Sequence, residues 1–420
     1  MAVDVRQVMA AFLTFSMFIM LGNMIKRDHI DPLLDPLPVS PIVQYGALKL
    51  TKPGMVKLTE INYGPWKESN SPPRHCWDEK SLRRGYKSNG YIFFSLSHSP
   101  EFHASQIANA VVVARHLGAT LALPDIRGIN PGEIRQFADF YDVEKFTTSL
   151  SGAVDIDKNP PLGISTENLP VVRVPNRVSK DFVASNIEPI FRSKRNLKLV
   201  TYFNASMITN GNNMDKLSNA YRCQAMFESL KLQGELQELV DTMVGTLRSL
   251  SQKMRGRFIA LDLQAEMLAK KSCQLENDDA ANKRCYNAAE TGEFLKRIGF
   301  DKDTTVYITQ TGWHSSLDSL RDIFPNTFTK DAIMPIVEKA RFLDANGVGY
   351  ERLIDHYMCA QGDVFVAAYP SRFYESVVGD RIGRGNTQVF VPAASGSGLA
   401  TNYVSPYVAK KRHPAYSCFC

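Results

Sequence analysis

No Cys-x-x-Cys pair and no His/Cys cluster occurs anywhere in this chain. That argues against a structural or catalytic zinc site. No segment repeats, which excludes a solenoid or propeller built from stacked copies. Charge of one sign is not concentrated either, because the net charge of +6 is spread along the sequence. The densest basic run, Lys410-Lys411-Arg412-His413, reads as a solvated tail rather than a nucleic-acid patch. No nucleic-acid partner is expected. What remains is ordinary globular material, 44% hydrophobic and 22% charged, in 420 residues. That length holds two medium domains or one large one.

One long uncharged run stands out, Val8 to Ile25, VMAAFLTFSMFIMLGNMI. It is about long enough to cross a bilayer as a helix. Lys26, Arg27 and Asp28 follow it, with no small turn-forming cleavage site. The first reading is an uncleaved signal anchor within residues 1–28; a buried packing helix is the alternative. Residues 29–87 are rich in proline, as in DPLLDPLPVSP and SNSPPRHCW, and read as an extended stem.

The folded part opens at Asn89-Gly90. Tyr91 to Leu96 reads as a strand, Ser97 to Ala104 as a loop, and Ser105 to Leu117 as a helix stopped by Gly118. Thr120 to Leu123 is the next strand, giving a βαβ unit of a doubly wound sheet. Val171 to Arg177 and Leu197 to Phe203 read as further strands. Leu236, Leu239, Val240, Met243, Val244, Leu247 and Leu250 follow helical spacing and predict a core-facing stripe. A second α/β unit starts after the polar SQKMRGR segment. The expected boundaries are 88–255, 256–385, and an irregular Gly- and Ser-rich tail over 386–420.

The most informative stretch is Arg257 to Cys273, RFIALDLQAEMLAKKSC. Phe258 to Leu261 suits a strand buried on both faces. It ends in Asp262, Gln264 and Glu266, and open α/β sheets bind ligands beyond the carboxyl ends of their strands. Capping of the next helix is the alternative role for these acids. In the loop Ser97 to Ala104, His98, Glu101 and His103 offer side chains, and Glu101 is a candidate general base. Trp313, beyond the strand Thr304 to Thr309, reads as a packing residue before a sugar-stacking one. Asp155-Ile156-Asp157 and Asp301-Lys302-Asp303 read as turns rather than metal pairs. Cys273 and Cys285 bracket a polar loop and form the best disulfide pair if the domain is lumenal. Asn204-Ala205-Ser206 is an N-glycosylation triplet.

The Asp262 segment resembles the motif of the plant O-fucosyltransferase-like glycosyltransferases, usually His-Leu-Arg-Phe-Glu, then Met-Leu-Ala and a Cys. Glu266, Met267, Leu268, Ala269 and Cys273 keep that pattern. Asp262 stands at the His position, as in the mannan-synthesis-related branch, and Gln264 at the Arg position. Gly118 to Pro124, GATLALP, is similar to the family's second strand, while SHSPEF replaces its glycine loop. Tyr221-Arg222-Cys223 is similar to a Leu-Arg-Cys element. Asp363, Ser371, Phe373 and Arg381 match a Ser-Asp-x-Phe strand, a Ser/Thr-Phe turn and a Gly-x-Arg.

The resemblance implies a GT-B arrangement, two Rossmann-like domains facing a cleft. It implies a Golgi membrane enzyme with a lumenal catalytic part, a nucleotide-sugar donor of the GDP-fucose kind and a carbohydrate acceptor. No metal or other cofactor is implied. Asp363, Ser371, Phe373 and Arg381 would bind the nucleotide, and Asp363 would read the guanine edge. Asp262, Gln264 and Glu101 would be catalytic, with His98 and Glu266 on the substrate. A non-catalytic partner of a mannan synthase and a related rhamnosyltransferase are the alternatives.

Overall fold

A strand lined with large apolar side chains on both faces must sit mid-sheet, and Phe258–Asp262 does so in the computed structural model of the protein: all five residues are buried. The structure describes residues 65–66, 71–77, 88–161, 164, 168–203, 216–268, 285–343, 349–393 and 400–420. The Val8–Ile25 run, Asn204 and Cys273 lie outside them. Among the described residues no helix is long and apolar enough to cross a membrane.

The first sheet is built around β1 (Tyr91–Leu96), which alternates half-buried and buried residues. Parallel to it lie β2 (Thr120–Ala122), with β5 (Ile156–Asp157) beyond, and on the other side β7 (Asn196–Tyr202) with β6 (Val171–Pro175). At its carboxyl end β1 also pairs with β3 (Asp125–Arg127), which carries antiparallel β4 (Ile134–Arg135). Helix α1 (His103–Leu117) makes the crossover from β1 to β2, and Gly118 ends it at φ 62°, a left-handed cap that suits glycine. Helices α2 (Val143–Leu150), α3 (Lys216–Phe227) and α4 (Gly234–Leu250) follow. In α4 the predicted stripe is buried except Leu250, which is exposed at the last turn.

The second sheet is wholly parallel, in the order β10 (Thr327–Phe328), β9 (Thr305–Ile308), β8 (Phe258–Asp262), β11 (Val364–Ala367), β12 (Val389–Phe390). Its helices are α5 (Ala288–Arg297), α6 (Asp318–Ile323), α7 (Tyr350–Gln361) and α8 (Arg372–Gly383). Every described residue falls in one compact unit, Ile61–Cys420. The buried cluster that holds Ile92 and Val111 also holds Phe258, Tyr307 and Phe365. The change of sheet near residue 256 is therefore not a break in the core.

Two expectations are corrected at the chain ends. The 386–420 tail is not simply irregular: it gives β12 to the second sheet and short helical turns at Ala400–Tyr403, Pro406–Ala409 and Pro414–Ser417. It is fastened by disulfides Cys76–Cys420 and Cys223–Cys418. Part of the expected stem is docked by the same fastening, with Cys76 N donating to Cys418 O at 2.9 Å and Cys420 N to Arg74 O at 2.7 Å. Trp66 lies edge-on to Phe300, under the Arg257 guanidinium. Loops this long confine the unfolded chain strongly when closed by a disulfide. Cys285 is also disulfide-bonded.

Two buried histidines anchor loops and make stability depend on pH. His103 Nε2 lies 2.7 Å from Ser97 O, which can only accept, so Nε2 carries the proton and Nδ1 accepts from Tyr141 Oη at 2.7 Å. His103 is thus a buried support of its loop, not a side chain offered to a ligand. His413 donates from Nε2 to Glu375 O at 3.0 Å and caps the last turn through Nδ1. Burial lowers each from 6.5 to about 4. The unfolded chain binds protons that the folded chain refuses, so stability is full above about pH 6.5 and is lost as pH falls towards 4. The loss is at most about 3 kcal/mol per histidine. Denaturant melts at pH 7 and pH 4.5 should show it, and His103→Gln should flatten the fall. A wild-type curve level over that window would contradict this assignment.

Candidate functional site

Asp262 ends β8 and is fully buried. A buried carboxylate must be paired and hydrogen-bonded or it unfolds its surroundings. Four donors converge on it from four elements. Thr309 Oγ1, beyond β9, donates to Oδ1 at 3.0 Å, and the Arg352 guanidinium of α7 does so at 3.3 Å. Tyr369 Oη, beyond β11, is 3.3 Å from Oδ1, and Ser371 Oγ, the N-cap of α8, is 3.5 Å from Oδ2. Burial on its own would lower the Arg352 guanidinium, yet Asp262, Tyr369, Asp355 and Glu101 together hold it above its ordinary value. Burial and Asp262 push the Tyr369 phenol up.

Gln264 is half-buried, and its amide donates to Thr309 O at 3.1 Å. Ala265 N donates to Gln310 Oε1 at 3.0 Å, and Gln310 Nε2 reaches the exposed Glu266 at 3.4 Å. The segment after β8 is thus laced to the segment after β9.

Beneath this layer lies a second buried ion pair. Lys330 Nζ donates to both oxygens of Asp355 at 2.7 Å, and Tyr307 Oη donates to Asp355 Oδ1 at 2.6 Å. Both charged side chains are 1% exposed. Burial pushes the Asp355 carboxyl up, against the pull of Lys330 and Arg352. Asp355 and Arg352 are nearly one turn apart on α7, so the helix is held to the strand ends at two points.

The β1–α1 segment reaches the same region through a 3-10 turn at Pro100–Phe102. A cavity of about 290 Å³ opens there, lined by His98, Ser99, Pro100, Arg341, Gly349 and Arg352 among others. His98 is exposed on its rim. Glu101 lines the neighbouring cavity with Arg177, Arg372 and Glu375, and its Oε2 is buried with no hydrogen-bond partner.

The structure therefore brings Asp262, Gln264, Glu266 and Ser371 together at one end of the second sheet, with His98 beside the cavity. It corrects three other assignments. Asp363 precedes β11, at the amino end of the sheet. Its Oδ2 accepts from Phe258 N at 3.0 Å, and Arg248 lies 3.7 Å away. A strand's length separates it from the carboxyl ends, so no single base could touch both. Arg381 is fully buried, and its guanidinium donates to the carbonyls of Cys359, Gly362, Asp363 and Gln388. It is a structural post, lowered to about 10 by burial. Phe373 is 1% exposed, and the Arg352 guanidinium lies 3.3 Å from its ring centroid, so the ring supports Arg352 rather than a base.

Arg352 itself was not legible as a site residue. It lies 90 positions from Asp262, in a segment whose only signal is helical spacing. The one clue is that a mid-sheet strand ending in Asp requires a cation from somewhere. Trp313 is a packing residue: Nε1 donates to Asp318 Oδ1 at 2.8 Å and Arg321 covers its ring at 3.2 Å. Asp157 accepts from Tyr91 Oη at 3.0 Å and from Asn159 N at 2.9 Å. Among the described residues no group of three or more His, Cys, Asp or Glu is placed to hold a metal ion.

Residues 103–383 match the family model described as GDP-fucose protein O-fucosyltransferase. The chain belongs to this O-fucosyltransferase family. Within it, the chain is similar to Protein MANNAN SYNTHESIS-RELATED 2 and Protein MANNAN SYNTHESIS-RELATED 1 of Arabidopsis thaliana, each 45% identical over the full length of both chains. Protein MANNAN SYNTHESIS-RELATED of Trigonella foenum-graecum is 40% identical, also over the full length of both. A crystal structure of POFUT1 in complex with GDP matches with a TM-score of 0.42 and 12% identity, over 73% of this chain and 99% of that one. In this member of the O-fucosyltransferase family Asp262 ends β8, Gln264 lies just beyond it, and Arg352 is the cation beside Asp262.

Proposed function

We propose that this protein is a glycosyltransferase of mannan synthesis, with a GT-B arrangement of its two sheets. Its donor is a sugar of GDP-fucose type and its acceptor a carbohydrate. It acts in the Golgi lumen, anchored by its amino-terminal segment. Family membership and full-length relatives named for mannan synthesis support this reading. The observation that carries it is Arg352, a cation at the carboxyl end of β8 that lines a cavity.

In the reaction, an acceptor hydroxyl attacks the anomeric carbon with inversion. The bond from that carbon to the diphosphate oxygen breaks, and the diphosphate leaves with the electron pair. Donors aimed at that developing charge are what the step needs. Arg352 and Arg341 would meet it by hydrogen bonds and charge, without a metal. The hydroxyl's proton would pass to a carboxylate, and Glu101 is the candidate base.

One observation favours a second reading, a non-catalytic partner of a mannan synthase. Both oxygens of Asp262 are engaged by protein donors and the residue is fully buried, so it touches no substrate. Incubating the purified full chain with labelled GDP-fucose, GDP-mannose or UDP-sugars and mannan oligosaccharides separates the two. Label should move to the oligosaccharide from a GDP-sugar alone. No transfer from any donor, with GDP still bound, would select the partner reading.

A further inference from the structure

We propose that Arg352 of α7 supplies, from a distant part of the chain, the positive charge that the segment after β8 lacks at Gln264, and that it receives the donor's diphosphate. This rests on the donor reading above. Gln264 is uncharged, and its amide is directed to Thr309 O. It offers a diphosphate neither charge nor the forked contact of a guanidinium. Arg352 stands across the same strand end, within 3.3 Å of Asp262.

Three features fit Arg352 to this role. Its side chain keeps 22% exposure and lines the cavity. A guanidinium carries five N–H donors, more than the Asp262 and Tyr369 contacts use. Its plane is set by the Phe373 ring on one side, and its helix is pinned by Asp355 to Lys330 and Tyr307. A cation held this firmly is oriented before the ligand arrives, which is what electrostatic stabilisation of a leaving group requires. Asp262 is then a positioning residue. It balances the charge of Arg352 and aims it, while Arg341 adds a second cation to the same cavity wall.

Calorimetry on the full chain in detergent, with GDP and with inorganic pyrophosphate, tests this. Wild type should bind both. Arg352→Gln should weaken both by roughly ten- to a hundredfold, the usual worth of one charged contact. Arg352→Lys should fall between, since it keeps the charge and loses the fork. Adding Gln264→Arg to Arg352→Gln should recover part of the loss. Arg352→Gln leaves Asp262 buried without its cation, so Arg352→Gln with Asp262→Asn is measured beside it, with melting curves for all. Unchanged affinity for both ligands in that folded double variant overturns the proposal and leaves the donor reading standing. Pyrophosphate bound through Arg352 with GDP refused upholds the proposal and overturns a guanosine donor. Neither ligand bound by the folded wild type overturns both.

Discussion

Replacing Arg381 by Met should lower the stability of the folded chain by about 3–5 kcal/mol, the cost of leaving several buried carbonyls without a donor at about 1–3 kcal/mol each. The guanidinium donates to four backbone carbonyls, from the end of α7, the turn before β11 and the approach to β12. Methionine fills the space and donates nothing. Gln388 O keeps its bond from Phe365 N, but the carbonyls of Cys359, Gly362 and Asp363 would lose the donor that Arg381 gives them, each a cost the native protein avoids. The site at the other end of the sheet is not touched. Denaturant midpoints should therefore fall steeply, while GDP affinity of the folded fraction at low temperature stays level. A loss below about 1 kcal/mol would show that the post is dispensable, and a selective loss of GDP affinity would return Arg381 to the nucleotide site.

Lys330→Met should be similarly damaging, because it strands the Asp355 carboxylate where burial already pushes it up. Removing one partner of a buried pair costs about 3–5 kcal/mol, whereas replacing both by apolar residues is often close to neutral. The double variant Lys330→Met with Asp355→Leu should therefore be more stable than the sum of its single changes. A double-mutant cycle by chemical denaturation measures that coupling. Strict additivity would mean that the two charges do not depend on each other.

The sequence showed the core elements clearly because their signals are local. Phe258 to Leu261 announces a strand buried on both faces, and the Leu236 to Leu247 stripe announces a packed helix. The residues around Asp262 and Ser371 could also be placed together, since both follow central strands of a parallel sheet and share its carboxyl end. Asp363 was misread for a reason of register. It abuts the start of β11, and a sequence gives no sign of which end of a strand a neighbouring acid will serve. Arg381 was misread because a matched motif gives residue type and not burial; an Arg in a helix can face a ligand or hold up the backbone with the same letters. The tail looked irregular because it draws much of its order from distant partners: two disulfides, and the pairing of β12 with β11. Arg352 was missed for the same reason.

A crystal structure of the full chain with GDP bound tests the central claim most directly. The diphosphate should lie in the cavity lined by Arg341 and Arg352, within hydrogen-bond distance of Arg352, with Asp363 and Arg381 still bound to the protein backbone. A diphosphate at Asp363, or GDP seated away from that end of the second sheet, would contradict it.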